Sequence, residues 1–336
     1  MPRPSALLTV NNLSVDFYSS DKHVISAVKD VSFSIHKNES LGIVGESGSG
    51  KSVTLLSLLG LLDSQTSKTQ GTIQFHQDNP NSKTHFISRE KNTAKQKYQS
   101  LHGNEISIIF QNPHLAFNPY FSIGKQISEM IRLHTSIKSK TQAKQRAIHW
   151  LKKVNMDAPE IRYYNNPFGL SGGMCQRAMI AMALSSEPSL LIADEPTTGL
   201  DATLQKSILQ LLNELRIENH LSLIIVSHDL SIINSLCDRV LVYLNGMIIE
   251  EGLRDEVLKA ESNNHPYTES LVHANHLTHV QEVSSANSIN SMGCPYLNRC
   301  QKVYSQKSDK CVNEIPPLRK TSNTHSIRCW AFEIHD

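Results

Sequence analysis

The sequence Gly45-Glu46-Ser47-Gly48-Ser49-Gly50-Lys51-Ser52 decides the fold of this chain, because it fits the phosphate-loop pattern G-x-x-x-x-G-K-S/T. The apolar run at 40–44 before it predicts a buried strand, and the apolar segment at 53–62 after it predicts a helix. The pattern requires a strand, a loop and a helix in this order. We therefore predict a nucleotide-binding α/β domain around this loop.

The residue types of the loop specify its chemistry. Its glycines let the backbone curl until its N–H groups point at phosphate oxygens. The helix that starts near Lys51 adds the positive end of its dipole. Lys51 is expected to reach the β- and γ-phosphates of ATP, and the Ser52 hydroxyl is expected to ligate Mg²⁺. The loop residues predicted to bind the nucleotide are Gly45, Ser47, Gly48, Gly50, Lys51 and Ser52.

The bulk properties fit a globular protein with one large domain and an appendix, or with two domains. Hydrophobic residues make up 39% and charged residues 19% of the 336 residues, which argues against disorder. The formal net charge of +2 is too balanced to indicate a nucleic-acid-binding protein. No apolar run approaches the roughly 18 residues that span a bilayer, and the N-terminus lacks the apolar length of a secretory signal. A soluble cytoplasmic protein without disulfides is the expectation.

Hydrophobic periodicity divides the rest of the chain into strands and helices. Alternating residues at 7–17 and 24–37 predict half-buried antiparallel strands, and helical spacing at 122–157 predicts a helical insertion. Further strands are predicted at 105–111, 189–194, 221–226, 239–243 and 247–250, and further helices at 174–185, 203–218 and 254–260. Strands that alternate with helices indicate a parallel-sheet α/β core.

Two segments lie outside this pattern. The basic run at 89–97 is interpreted as a solvated helix face, with a binding patch as the alternative. Residues 274–292 have no periodicity and are rich in Ser, Asn and His, which predicts a linker.

The segment Leu170-Ser171-Gly172-Gly173-Met174 lies directly before a predicted helix, so the N–H groups of Ser171, Gly172 and Gly173 form a second candidate anion site. Together with the phosphate loop and a later strand that ends in two acids, it resembles the signature motif of ATP-binding-cassette ATPases. The resemblance covers residues 7–260. It implies a RecA-like phosphate-loop core with an antiparallel β subdomain and a helical subdomain at about 115–185, followed by a C-terminal extension at 261–336.

The resemblance also assigns roles to single residues. Asp194 and Glu195 resemble the Walker B pair, in which the first acid holds Mg²⁺ and the second acts as general base. The remaining assignments are Gln111 as a glutamine that senses Mg²⁺, His228 as the γ-phosphate switch, Asp201 at a dimer interface, and Phe17 (less favoured, Tyr18) against adenine.

Several details are similar to the oligopeptide and dipeptide importer branch of this family. They are the segments 42–50, Phe110-Gln111-Asn112-Pro113, Phe117-Asn118-Pro119, Met174, 179–184 and His265-Pro266-Tyr267-Thr268. Phe168-Gly169, Cys175 and Gly199 depart from the pattern. None of these departures is a phosphate ligand, and the charge lost at Cys175 lies close to the signature helix.

The resemblance implies partners as well as chemistry. One phosphate loop and one signature per chain imply a head-to-tail dimer with a second, paralogous ATP-binding subunit. Two membrane permease subunits and an extracytoplasmic solute-binding protein complete the expected complex, with this chain peripheral on the cytoplasmic face of the plasma membrane. The alternatives are an ATPase of a nickel, metal or antimicrobial-peptide importer, and an ABC ATPase outside transport. The sequence does not specify the cargo.

Four of the six cysteines crowd the C-terminus, with the spacing C-x5-C-x10-C-x17-C. Four thiolates suit a tetrahedral zinc ion or an iron–sulfur cluster. The close pairs typical of zinc sites are absent, which favours the cluster, and a metal would stabilise a short, loop-rich tail. The importer branch carries a similar pattern, which implies a four-iron four-sulfur cluster; four reduced thiols are the alternative. The candidate ligands are Cys294, Cys300, Cys311 and Cys329.

Overall fold

The computed structural model describes residues 5–18, 23–76, 85–87, 101–259, 264–276, 293–301 and 309–332. The basic run at 89–97 and residues 277–292 of the predicted linker lie outside these ranges. The chain forms two compact units. Unit 1 comprises residues 1–9, 34–40 and 74–225, and unit 2 comprises residues 10–33, 41–73 and 226–336.

Strands and helices alternate between Gly172 and Leu244, and elsewhere the described elements mostly follow one another in runs of one type. The strands are β1 (Ala6–Tyr18), β2 (Val24–His36), β3 (Ser40–Val44), β4 (Ser67–Phe75), β5 (His85–Ile87), β6 (Ile106–Ile109), β7 (Leu190–Asp194), β8 (Ser222–Val226), β9 (Arg239–Leu244), β10 (Met247–Leu253), β11 (Arg319–Lys320) and β12 (Ser326–Ile327). The helices are α1 (Lys51–Leu58), α2 (Pro113–Ala116), α3 (Ile123–His134), α4 (Lys140–Lys153), α5 (Pro159–Arg162), α6 (Gly172–Leu184), α7 (Ala202–Glu218), α8 (Leu230–Leu236), α9 (Arg254–Val257), α10 (Pro266–His276) and α11 (Asp309–Asn313).

Unit 1 contains a sheet segment in the order β8-β7-β6. Strands β6 and β7 are parallel, and their register places Ile106 opposite Leu190 and Ile109 opposite Ala193. These strands are nearly continuous apolar runs because their residues are buried, as in parallel sheets covered on both faces. Strand β7 ends at Asp194, and Glu195 follows directly, so the two acids lie at the carboxyl end of this strand.

The helical insertion of unit 1 is confirmed. Helices α3 and α4 begin after Ser122 and Ser139, whose side chains accept hydrogen bonds from backbone N–H groups of the first turn. The apolar residues that predicted the insertion are all buried at 0% exposure, namely Ile127, Ile131, Ala147, Leu151 and Val154. Their spacing places them on one face of each helix. This explains why a 3.6-residue period of apolar residues could be recognised in the sequence.

Unit 2 contains β3 beside β9 and β9 beside β10. The pair β3 and β9 is parallel, whereas β9 and β10 are antiparallel with an irregularity between Ile248 and Glu250. Strand β3 is buried throughout and leads into the phosphate loop. The unit also holds most of β1, β2 and β4, which neighbour one another in the order β2-β1-β4.

The described part of residues 261–336 contains more secondary structure than the sequence predicted. Helix α10 and the short strands β11 and β12 were missed, and β12 pairs antiparallel with β10, with Ile327 opposite Glu250. A strand of two residues is too short to show an alternation of apolar and polar residues, so hydrophobic periodicity cannot predict it. Tyr267, Val272 and Ile327 are buried. The extension of unit 2 therefore contributes apolar side chains to a core.

A buried carboxyl group ties this extension to β10. Glu250 is 0% exposed, its Oε1 lies 2.7 Å from His325 Nε2, and its Oε2 accepts from the backbone N–H of His265 at 3.0 Å. Burial raises the pKa of the Glu250 carboxyl above its ordinary value, and the hydrogen bond with His325 opposes that rise. The protonated carboxyl is thus favoured more in the folded than in the unfolded chain.

Glu250→Gln is expected to remove the pH dependence that this carboxyl gives to folding. A raised folded-state pKa stabilises the fold most below the unfolded pKa of about 4.5, and that contribution is lost as pH rises through the folded value. The unfolding free energy of the unaltered chain, relative to Glu250→Gln, should therefore fall as pH rises above about 4.5. Urea unfolding at several pH values measures this difference. A difference that grew with pH would contradict the assignment.

Candidate functional site

The phosphate loop of unit 2 has a backbone that only glycine allows at two positions. Gly45 has φ +150° and Gly50 has φ +102°. A Cβ atom on Gly45 would lie 2.3 Å from the carbonyl oxygen of Tyr243, and one on Gly50 would lie 2.4 Å from that of Ala27. Real Cβ contacts are never this short, so both glycines are required by the close approach of neighbouring backbone.

Lys51 is buried inside the phosphate loop and donates hydrogen bonds to the backbone of that loop. Its Nζ donates to the carbonyl oxygens of Gly45 and Glu46 at 2.8 Å each and lies 3.4 Å from Ser49 Oγ. The side chain is only 6% exposed. The ammonium group therefore holds the curled loop together from within and has a charge that suits phosphate oxygens.

The outer part of the loop faces solvent. Glu46, Ser47 and Gly48 are exposed, as is Ser52 in the first turn of α1. Gly50 occupies the N-cap position of α1 and, as a glycine, has no side chain with which to cap the helix. Backbone N–H groups at a helix start are donors for an anion. The loop thus combines N–H donors, a hydroxyl and an ammonium group in one short segment.

In unit 1, Glu195 is held by two hydrogen bonds. Gln111 Nε2 donates to Glu195 Oε2 at 2.9 Å, and Thr198 Oγ1 donates to the same oxygen at 2.9 Å. Glu195 has φ +45°, a left-handed conformation that costs a non-glycine residue about 1–3 kcal/mol. The structure therefore unites two residues that the sequence assigned to separate motifs, and it does so with a strained backbone.

The segment around Gln111 differs slightly from its prediction. The strand was expected to run to Gln111, but β6 ends at Ile109, and Phe110 and Gln111 are exposed. The register explains the early end, because the ladder with β7 stops at the pair Ile109 and Ala193. Gln111 is thereby released from the sheet and can reach Glu195.

The signature and the segment 199–201 each cap a helix of unit 1. Ser171 Oγ accepts from the N–H of Met174 at 3.4 Å at the start of α6, and Asp201 Oδ1 accepts from the N–H of Leu204 at 3.0 Å at the start of α7. Gly173 is buried against Leu204, which lies 2.4 Å from where its Cβ would be. Each motif residue therefore has a local structural role in addition to any role toward nucleotide.

Cys175 follows the signature in α6 and is fully buried. Burial raises the pKa of its thiol to about 11. The thiol is therefore protonated and packs as a small apolar group. A charged side chain at this position would have to be buried too, so the family departure at Cys175 is compatible with the observed packing.

Two further candidates lie in unit 2. His228 is exposed in the turn after β8, between buried Ser227 and Asp229, which caps α8 through a hydrogen bond from the N–H of Ser231 at 2.8 Å. Phe17 is half-buried near the end of β1, and Tyr18 after it is 44% exposed.

The sequence missed two residues that contact the phosphate loop. The N–H of Glu46 donates to the hydroxyl of Tyr267 at 2.9 Å. The guanidinium group of Arg299 donates to both carboxylate oxygens of Glu46, at 2.7 and 3.2 Å. Neither residue carries a local signal for this contact, because they follow the loop by 221 and 253 positions.

The four C-terminal cysteines are near one another but do not form a ligand cage. The N–H of Cys294 donates to the carbonyl oxygen of Cys311 at 2.9 Å. Burial, together with the nearby thiols of Cys329, Cys311 and Cys300, raises the pKa of the Cys294 thiol to about 12. Within the described ranges, no group of three or more His, Cys, Asp or Glu side chains is arranged to hold a metal ion. The predicted cluster is therefore not supported by the side-chain geometry.

Exposed apolar side chains gather in the segment after Gln111. Leu115 is 83% and Tyr120 is 87% exposed. Phe121 is also exposed, and the exposed ring of Phe168 stacks on His114 with 6.0 Å between centroids. Among the helices that the structure describes, none is long and apolar enough to cross a membrane.

The fold and these motifs define a phosphate-loop ATPase of the cassette type. A family model described as "ABC transporter" matches residues 28–198. The chain belongs to the ABC transporter family and is an ATPase of that family. The predicted fold class is confirmed by a solved structure of the ATP-binding cassette MJ0796 bound to ADP and Pi, with a TM-score of 0.62 and 25% identity. That match covers 74% of this chain and 98% of that chain.

Relatives of known name specify the branch. The chain is 38% identical to the oligopeptide transport ATP-binding protein AppD of Bacillus subtilis, over 98% of both chains. It is also 38% identical to the oligopeptide transport ATP-binding protein OppD of Salmonella typhimurium, over 98% of this chain and 95% of that protein. The dipeptide transport ATP-binding protein DppD of Haemophilus influenzae is 40% identical over 80% of this chain and 77% of its own length. The resemblance to the peptide-importer branch is thereby confirmed.

Proposed function

We propose that this chain is the ATP-binding and ATP-hydrolysing subunit of an ABC importer for peptides. The observation that carries this proposal is the near-complete coverage of oligopeptide transport ATP-binding proteins at 38% identity. The match extends over the C-terminal extension as well as the family domain. We further propose the division into an ATPase domain at 7–260 and an extension at 261–336.

The proposed chemistry assigns a role to each motif. The loop 45–52 binds the phosphates of ATP, Phe17 stacks on adenine, and His228 contacts the γ-phosphate. Mg²⁺ supplies charge neutralisation at the phosphates, and its proposed ligands are Ser52, Gln111 and Asp194. Glu195 acts as the general base toward the attacking water. Its hydrogen bonds from Gln111 and Thr198 fix the carboxylate that accepts the proton.

The proposed active state is a dimer of two cassettes. The chain has one phosphate loop and one signature, so Ser171, Gly172 and Gly173 would bind the γ-phosphate of ATP held by the partner. Asp201 would lie at the same interface. The second cassette is proposed to be a paralogous ATP-binding subunit, and nucleotide binding and hydrolysis close and open the pair.

The proposed membrane partners are two permease subunits, with a solute-binding protein outside the membrane. The exposed side chains of Leu115, Tyr120 and Phe121 support a docking surface beside Gln111 for these subunits. Solvent exposure of several large apolar residues in one segment is a mark of an interaction site. Docking there would place this chain at the cytoplasmic face of the membrane.

Peptide uptake tests the proposed function. Cells that lack this chain should lose uptake of a labelled tripeptide, and the reintroduced chain should restore it, while uptake of a labelled free amino acid stays unchanged. Restoration should also require two permease subunits. Normal tripeptide uptake without the chain, combined with loss of nickel uptake, would replace peptide with metal as the cargo.

We also propose that Cys294, Cys300, Cys311 and Cys329 hold a four-iron four-sulfur cluster, with zinc as the alternative metal. Their mutual electrostatic influence and the hydrogen bond between the Cys294 and Cys311 backbones support this proposal. The absence of a preformed ligand group in the described residues weighs against it. The side chains would have to reorient, and Cys294 would have to lose its proton, for metal to bind.

Metal analysis of anaerobically purified protein decides between these alternatives. The cluster predicts about four irons and four sulfides per chain, and one zinc per chain supports the alternative. Cys294→Ser should lower the bound metal, whereas Cys237→Ser, at a buried cysteine outside the group, should leave it unchanged. Metal-free protein whose Cys294→Ser variant has the same stability as the unaltered chain would contradict both metals.

A further inference from the structure

The peptide group between Gly45 and Glu46 is held from two sides. Its carbonyl oxygen, on Gly45, accepts a hydrogen bond from Lys51 Nζ at 2.8 Å. Its N–H, on Glu46, donates to the hydroxyl of Tyr267 at 2.9 Å. One peptide group thus connects the phosphate-binding lysine to a side chain of the C-terminal extension, and hydrogen bonds in such a chain polarise one another.

The side chain of Glu46 is fixed by the same extension. Arg299 Nη1 donates to Glu46 Oε1 at 2.7 Å and Nη2 donates to Oε2 at 3.2 Å. This is the bidentate geometry in which arginine binds a carboxylate most specifically. The two side chains are 35% and 44% exposed, so water reaches the pair and screens part of its Coulomb energy.

Arg299 is itself positioned by aromatic rings. Its guanidinium carbon lies 5.1 Å from the ring centroid of Tyr296 and 5.7 Å from that of Tyr267. The two rings meet edge to face with 5.5 Å between centroids, and both tyrosines are buried. A guanidinium group over two buried rings keeps few alternative rotamers, so the fork points at Glu46 before any nucleotide binds.

We infer that Tyr267 and Arg299 are positioning residues for ATP binding. This inference rests on the proposed function of the loop. They hold the Gly45–Glu46 segment from outside, and Lys51 holds it from inside. The N–H groups of the loop are then already oriented toward the phosphates, so ATP binding does not have to order the loop. The C-terminal extension thereby sets the affinity of the phosphate loop for nucleotide.

Equilibrium binding of Mg²⁺-ATP to the full-length chain tests this inference. Arg299→Gln is expected to raise the Kd for ATP by about threefold to tenfold, because a half-exposed bidentate pair is lost. Arg299→Lys should give an intermediate Kd, since lysine keeps the charge and loses the fork. Tyr267→Phe should also weaken binding by a few-fold, because the N–H of Glu46 loses its acceptor.

A double-mutant cycle separates positioning from general loosening. If Arg299 acts through Glu46, the variant with both Glu46→Gln and Arg299→Gln should bind ATP no more weakly than either single variant. Arg254→Gln is the matched control, because Arg254 is as exposed as Arg299 but pairs with Asp255 and not with the loop. Its Kd should stay within about twofold of the unaltered chain, the margin expected of independent sites.

The failures of this inference and of the proposed function are distinguishable. Unchanged ATP binding in Arg299→Gln, additive effects in the cycle, or an equal loss in Arg254→Gln would each overturn the positioning role. Lys51→Ala is the reference for the loop itself. If Lys51→Ala bound ATP as well as the unaltered chain, the phosphate-loop assignment would fail, and the positioning role would fail with it.

Discussion

Glu195→Gln should abolish most ATP hydrolysis while leaving ATP binding intact. Loss of a general base typically slows the chemical step by on the order of 10²–10⁴. Glutamine keeps an oxygen that can accept the hydrogen bonds from Gln111 and Thr198, so the surrounding geometry should survive. Single-turnover hydrolysis in the assembled complex measures the rate, and equilibrium binding of ATP measures the retained affinity.

Glu187→Gln is a control with the same chemical change in a similar backbone setting. Glu187 also has a left-handed backbone, with φ +58° against +45° for Glu195, but its carboxylate pairs with Arg146. Hydrolysis by this variant should match that of the unaltered chain. Equal losses in both variants would show that the effect of Glu195→Gln comes from the fold, and an unaltered rate in Glu195→Gln would end the base assignment.

The parts of the site that follow from local chemistry were predictable. Gly45 and Gly50 are glycines because neighbouring carbonyl oxygens leave no room for a Cβ, and that requirement appears directly in the sequence. The strands before the loop and before Asp194 are buried apolar runs that end where the sequence changes to Gly or Asp. Local constraint and global fold agree at these positions, which makes them readable.

The backbone of Glu195 was not predictable in the same way. Pro196 follows it, and a residue before proline is normally pushed toward extended conformations. The observed φ of +45° contradicts that local preference. Such exceptions occur where tertiary structure overrides local energy, and they concentrate at functional sites. The sequence therefore located this residue but could not describe its conformation.

The long-range contacts of the C-terminal extension could not be predicted from the sequence, for a different reason. Hydrophobic periodicity reports which face of an element is buried and carries no information about its partner. The link from Glu46 to Arg299 spans 253 positions, and both residues are charged and half-exposed. Sequence patterns treat such residues as ordinary surface, although here Arg299 holds the side chain of Glu46 in the loop.

Lys51→Ala should weaken ATP binding itself, in contrast to Glu195→Gln. The substitution removes a cation that would contact the phosphates, and a hydrogen bond to a charged group is worth about 1.5–3 kcal/mol. Each 1.4 kcal/mol is about tenfold in Kd, so the loss should be about 10- to 100-fold. The carbonyl oxygens of Gly45 and Glu46 also lose their donor, which loosens the curl of the loop. Equilibrium titration with Mg²⁺-ATP measures the change.

Lys68→Ala is the charge-matched control, because Lys68 is an exposed lysine of β4 in the same unit. Its Kd for ATP should equal that of the unaltered chain, which would exclude a general effect of net charge on nucleotide affinity. The two variants then separate ATP binding from ATP hydrolysis. Lys51→Ala should lose both, whereas Glu195→Gln should lose hydrolysis alone. ATP binding by Lys51→Ala as tight as that of the unaltered chain would contradict the assignment of this segment as the phosphate loop.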